Sequence, residues 1–204
     1  MADLYHVFAA LLTYPEEDYG QHTESALRLV PKQCRELVEQ FAEAIRGRQT
    51  WELQELFTRT FDMNPVCSLE LGWHLFGENY ERGLLLVRMR EELRRCGIEE
   101  STELPDHLTH VLELLDRMDL ARAEDFAAAC VLPALRKMIA AIEGKGNPYE
   151  SVLLAIQVFL RIQFPEIPLA DENSEPLLKV LSPQQANIEL AEDPGPGTGG
   201  AFRD

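Results

Sequence analysis

The chain has few of the features that mark a catalytic or nucleotide site. It contains no glycine-rich phosphate loop, no G-x-S-x-G, no H-E-x-x-H and no C-x-x-C pair, which removes the sequence grounds for a P-loop nucleotidase, a serine hydrolase, a zinc protease or a dithiol redox protein. Its four cysteines, Cys34, Cys67, Cys96 and Cys130, lie about thirty residues apart. That spacing supports neither a disulfide framework nor a zinc site, so reduced and mostly buried thiols are expected. The longest apolar run, Val152 to Leu160, is interrupted by Gln157 and is about half of what a bilayer span needs. The opening Met-Ala-Asp has no basic, apolar signal-peptide pattern, so a soluble cytoplasmic protein is expected. Positive charge is scarce as well. Lys and Arg number 19 against 35 Asp and Glu, a net charge of -16, which disfavours nucleic acid and anionic lipid and favours a basic peptide as partner.

No stretch alternates with period two for long enough to argue a sheet, whereas three- and four-residue apolar spacing recurs throughout. Leu4, Val7, Phe8, Leu11 and Leu12 form a helical stripe stopped by Pro15, and Pro31 opens a second through Cys34, Leu37, Val38, Phe41 and Ile45. Leu53, Leu56, Phe57 and Phe61 define a third, ended by Asn64-Pro65. Ser68 is read as the N-cap of a short helix with Glu70 in its first turn, and a further helix runs from Glu78 to Gly97. Pro105 and Asp106 mark the next start. The segment from Ala121 to Ile142 reads as a helix kinked at Pro133, and Asn147-Pro148-Tyr149-Glu150 opens a helix apolar nearly all round, expected at the centre of the fold. The expected class is therefore all-α, one helical domain over residues 1–181. Beyond it, residues 182–204 are rich in Pro, Gly and acid and are expected to be a disordered tail. That tail carries -3, so -13 belongs to the body.

Polar and apolar demands meet most densely between Phe61 and His110. His107, His110 and Glu113 recur every three residues and could face one way as metal ligands, but nothing nearby completes a set and no metal is assigned. Asp106 beside His107 is either an acid–base pair awaiting a nucleophile or a helix start at which Asp106 serves the free N–H groups. Cys67 and His74 lie two turns apart, too far for a nucleophile and its base. Trp73, Phe76 and Tyr80 are read as core rather than as an aromatic platform. Glu70, Glu78 and Glu81 would suit a basic amphipathic peptide.

The segments Phe61-Asp-Met-Asn-Pro-Val-Cys-Ser-Leu-Glu-Leu-Gly-Trp-His-Leu-Phe-Gly-Glu-Asn-Tyr-Glu-Arg-Gly83 and Glu103-Leu-Pro-Asp-His-Leu-Thr-His-Val-Leu112 closely resemble the delta-subunit chaperones of respiratory nitrate reductase, the NarJ type of the TorD-like superfamily. The resemblance extends more loosely over residues 1 to about 181, including Leu-Leu-Thr-Tyr-Pro15. It implies a single all-helical domain and a non-enzymatic assembly chaperone absent from the finished enzyme. Such a chaperone would bind the N-terminal segment of the apo catalytic (alpha) subunit and hold it ready for molybdenum-cofactor insertion. The cofactor belongs to the client, so none is assigned to this chain. The superfamily's Glu-Pro-x-Asp-His hinge appears here as Glu103-Leu-Pro-Asp-His107, with proline shifted by one, so proofreading of export signals and nucleotide binding are not carried over.

The reading is a client-peptide groove between the segments 68–82 and 105–116, built from Glu70, His74, Glu78, Tyr80, Glu81, Arg82, Glu103, Asp106, His107 and His110. With an ordinary imidazole pKa, His107 would make client affinity change between about pH 5.5 and 8. The rival readings are a helical hydrolase using His107, His110 and Asp106, and a helical oligomerisation module. Direct membrane insertion is not expected, and a weak homodimer is compatible with the reading.

Overall fold

A computed structural model describes residues 3–167, and these form ten α-helices with no strand among them. In order they are α1 (Asp3–Ala10), α2 (Tyr19–Leu29), α3 (Lys32–Ile45), α4 (Thr50–Thr60), α5 (Leu71–Phe76), α6 (Tyr80–Arg95), α7 (Leu108–Arg117), α8 (Leu120–Phe126), α9 (Leu132–Ile142) and α10 (Tyr149–Gln163). The all-α expectation therefore holds over the described residues. The expected tail at 182–204 lies outside them, as does the end of the expected domain beyond residue 167.

The apolar wrap of α10 puts it at the centre, with Val152, Leu153, Ala155, Ile156 and Leu160 fully buried against α3 and α9. Its start follows the cap chemistry of the sequence. Asn147 Oδ1 accepts from the Tyr149 N–H, while Glu150 reaches outward to accept from the Gly144 N–H instead of turning back on Asn147. Tyr149 then anchors an aromatic cluster with Phe41, Phe57 and Phe61 at centroid distances of 5.2, 5.9 and 4.8 Å. Each such buried ring contributes on the order of 1.5–3 kcal/mol through burial alone. The Tyr19 hydroxyl donates to the Leu11 carbonyl at 2.6 Å, so the Tyr149 hydroxyl donates to Tyr19 across 3.2 Å and ties α10 to the loop after α1.

The break expected at Pro133 falls upstream of it. Residues Ala127–Val131 widen into a π turn in which Leu132 N–H reaches the Ala127 carbonyl. Pro133 has no N–H for the carbonyl four residues back and its ring crowds that position; opening the preceding turn relieves both problems. Cys34, Cys67 and Cys130 are buried, and burial pushes their thiols up to about 11, 12 and 12, whereas Cys96 is half-buried. Buried Glu92 accepts from Arg95 on its own helix and from Arg122 at 2.7 Å, joining α6 to α8. No helix among the described residues is long and apolar enough to cross a membrane.

Candidate functional site

The short helix α5 and the longer α7 begin side by side, and a single antiparallel bridge between Glu70 and His107 joins their entries. Leu71 N–H donates to the Asp106 carbonyl at 3.0 Å and Leu108 N–H to the Leu69 carbonyl at 2.8 Å. The Asp106 side chain completes the join. Its Oδ2 accepts from the Gly72 N–H at 2.7 Å, so this carboxylate caps α5, a helix 34 residues earlier, and not the helix that follows it. The expected cap of α5 is corrected accordingly: Glu70 occupies the N-cap position with no side-chain bond, and Ser68 Oγ accepts only from the Glu70 N–H.

The N-cap of α7 is His107, whose Nδ1 accepts from the Thr109 N–H and the Thr109 hydroxyl. This fixes the neutral ring with its proton on Nε2. Burial, with a smaller push from His110, lowers the His107 pKa to about 4. The expectation that His107 titrates near neutrality is therefore corrected; the ring is neutral throughout the range from pH 5.5 to 8. His110 uses both nitrogens on backbone, Nδ1 donating to the Leu104 carbonyl and Nε2 accepting from the Ser101 N–H, which shapes the loop before α7. With that lone pair engaged His110 has none left for a metal, and among the described residues no His, Cys, Asp and Glu group is arranged to hold one. The Asp106 carboxylate bonds Gly72, not His107, so no acid–base relay links the two side chains.

Two cavities flank this join and share Phe57, Glu103 and His107 as a common wall. The larger, about 500 Å³, runs between the α1–α2 loop and the start of α7, and its carboxylates are Glu16, Asp18, Glu99, Glu103 and Glu113 with no Lys or Arg among its lining residues. The smaller, about 260 Å³, is walled by Phe61, Pro65 and Trp73, with Asp62, Glu70 and Glu103 opposed by Arg82 alone. Burial raises the Glu70 pKa, helped by Asp106 and Glu103, while Arg82 opposes the rise. The result is a bent, acidic groove with aromatic walls.

Of the residues named from sequence, Glu70, Arg82, Glu103, His107 and His110 line these cavities, and Asp106 is fully buried beneath them. His74 is buried and bonded to the Ser68 carbonyl at 2.6 Å, a structural position. Glu78, Tyr80 and Glu81 are exposed at the start of α6 and line neither cavity. The expectation of a core role holds for Phe76, which packs against the hydrophobic core, and is corrected for Trp73 and Tyr80. Tyr80 is 78% exposed, Trp73 and Phe76 are half-buried, and Trp73 faces the guanidinium of Arg82. Sequence reasoning missed the wall supplied by Phe57 and by Glu16 and Asp18. The acid run after Pro15 was its one visible sign.

The family model for "Nitrate reductase delta subunit" matches residues 28–153. "Nitrate reductase molybdenum cofactor assembly chaperone NarJ" of Escherichia coli (strain K12) is 25% identical over 150 residues, which span 70% of this chain but only 63% of that protein. "Probable nitrate reductase molybdenum cofactor assembly chaperone NarJ" of Bacillus subtilis (strain 168) is 26% identical over 158 residues, 73% of this chain and 83% of that one. Among solved structures, "Crystal Structure Of A Putative Redox Enzyme Maturation Protein From Archaeoglobus Fulgidus" superposes with a TM-score of 0.57 at 22% identity, covering 79% of this chain and 94% of its own, a likeness of fold. With the family match spanning more than half its length, the chain belongs to the nitrate reductase delta-subunit family.

Proposed function

We propose that this protein is a cytoplasmic, non-enzymatic chaperone that binds the N-terminal segment of the apo catalytic subunit of respiratory nitrate reductase in the acidic groove and keeps that subunit competent for molybdenum-cofactor insertion. The observation that carries the reading is the groove itself. Seven carboxylates line its two cavities against one arginine, beside the aromatic walls of Phe57, Phe61 and Trp73. An amphipathic basic helix is the complementary shape and charge: apolar side chains enter the aromatic hollows and lysines or arginines meet the rim. The names of the relatives support nitrate reductase as the enzyme being assembled, and the acidity and aromatic walls of the groove support a basic amphipathic segment as what it holds. The cofactor remains the client's, and within the groove the side chains of this chain bind and orient a peptide without moving protons.

A pull-down tests this with the full chain as bait and the apo catalytic subunit as prey. The intact subunit should be retained, and a subunit lacking its N-terminal segment should fall to background. Equal retention of both would place the contact elsewhere.

A further inference from the structure

A guanidinium supplied by the chain itself already lines the smaller cavity. Arg82 Cζ lies 5.4 Å from the centroid of Trp73. Its Nε is buried without a hydrogen-bond partner, and among the described residues Arg82 makes no ion pair although Asp62, Glu70 and Glu103 line the same space. Asp106 shares the floor. It is fully buried with Oδ1 also unpartnered, and the point above Gly72 where a Cβ would stand is 2.7 Å from Asp106 Oδ2 and 3.1 Å from Arg82 Cγ. A guanidinium with five donors and no carboxylate within ion-pair distance, in a cavity with three lining carboxylates, is a poor use of both groups.

We propose that this cavity is a subsite for an arginine side chain of the bound client segment, and that Arg82 is its resident occupant, displaced when the client arrives. The inference rests on the groove reading above. Arginine fits better than lysine because a planar guanidinium stacks flat on Trp73 and its fork reaches two carboxylates at once. The exchange leaves the local charge unchanged, so Glu70 and Asp106 keep a positive neighbour throughout. Arg82 stands in the first turn of α6 and is half-exposed, so its head has solvent to swing into. A resident competitor lowers apparent affinity by the fraction of time it holds the site, and removing it restores that affinity.

The full chain is titrated with a labelled amphipathic peptide of about fifteen residues, made of Leu, Ala and Gln around one central arginine, and with two analogues carrying lysine or citrulline there. Arg82→Gln should bind the arginine peptide several-fold tighter than wild type, up to about tenfold, bind the lysine peptide with a smaller gain, and leave the citrulline peptide unchanged. Arg82→Lys keeps the charge and gives up the flat stack, so it should move in the same direction and serves if the glutamine variant fails to fold. In a Trp51→Phe background, the Trp73 emission should shift on adding the arginine peptide and stay unmoved by citrulline. Equal gains for lysine and arginine peptides would reduce the effect to removal of a distant charge and overturn the proposal. No gain, or a loss, for the arginine peptide would also overturn it while leaving the groove reading intact. Failure of all three peptides to bind any variant would defeat the groove reading and this inference together.

Discussion

Gly72→Ala is expected to destabilise the protein by about 2–4 kcal/mol, against its intrinsic effect. In a helix interior, alanine is favoured over glycine by about 1 kcal/mol, so propensity alone would make the substitution stabilising. The position decides otherwise: an added Cβ would stand 2.7 Å from Asp106 Oδ2, and 3.1 Å from both Arg82 Cγ and Leu85 Cδ2. The Asp106 oxygen cannot simply swing away, because it accepts the Gly72 N–H at 2.7 Å in a site with no solvent exposure. Moving it leaves a buried N–H and a buried carboxylate without each other, at a cost of about 1.5–3 kcal/mol for a charged bond. Gly83 supplies the control, since it lies on α6 with nothing within 4 Å of its added Cβ, and Gly83→Ala should be neutral or stabilising by up to about 1 kcal/mol. Urea unfolding of both variants settles the matter. A Gly72→Ala protein as stable as wild type would mean that the carboxylate is not locked over α5. Combined with Asp106→Ala, which removes the clashing oxygen, the two losses should be less than additive.

Acid should unfold the protein partly through His107. The unfolded ring takes up its proton near its ordinary value of 6.5, whereas the folded ring resists until about 4. Between those limits the unfolded state binds more protons, so stability is complete above pH 6.5 and falls as the pH drops to 4, by about 1.4 kcal/mol per unit and on the order of 3 kcal/mol in all. His74, whose pKa burial also lowers, adds to the loss. Glu70 and Asp106 act in the opposite direction. Burial raises their pKa values, so their folded carboxyls protonate before the unfolded ones and favour the fold as pH falls through that range. Comparison with His107→Asn isolates the histidine, because asparagine retains N-cap chemistry and does not titrate. Wild type should lose stability relative to the variant between pH 6.5 and 4 and keep a constant offset above 6.5. Parallel profiles would show that the folded ring titrates normally.

Helix existence was legible because each amphipathic stripe is local: Leu4 to Leu12, Cys34 to Ile45 and Leu108 to Leu115 all bury the faces their spacing defines. Cap assignments were less legible, since a carboxylate after a proline is compatible with serving either its own helix or one distant in sequence, and Asp106 serves the distant one. Nothing in a one-dimensional pattern brings Gly72 to Asp106. The same limit explains the groove. Glu70, Arg82, Glu103 and the two histidines were found because they lie in the densest polar stretch, while Glu16 and Asp18 come from the α1–α2 loop, brought there with α1 as it packs on α7, and Phe57 from α4, held against Tyr14 and Tyr149. Tyr80 and Trp73 were misjudged because aromatic spacing of three and four is the pattern of a core and equally of a rim.

The most direct test of the central claim is the affinity of the catalytic subunit's N-terminal segment, measured against salt for wild type and for a variant combining Glu70→Gln, Glu103→Gln and Glu113→Gln. These three glutamates line the two cavities, and none makes an ion pair among the described residues, so the substitutions remove charge without breaking an ion pair. Wild type should bind most tightly at low salt and weaken as salt rises, chiefly through slower association, while the variant should bind about tenfold or more weakly at low salt and depend little on salt. Equal affinities and equal salt dependence for the two proteins would contradict the assignment of the acidic groove as the client site.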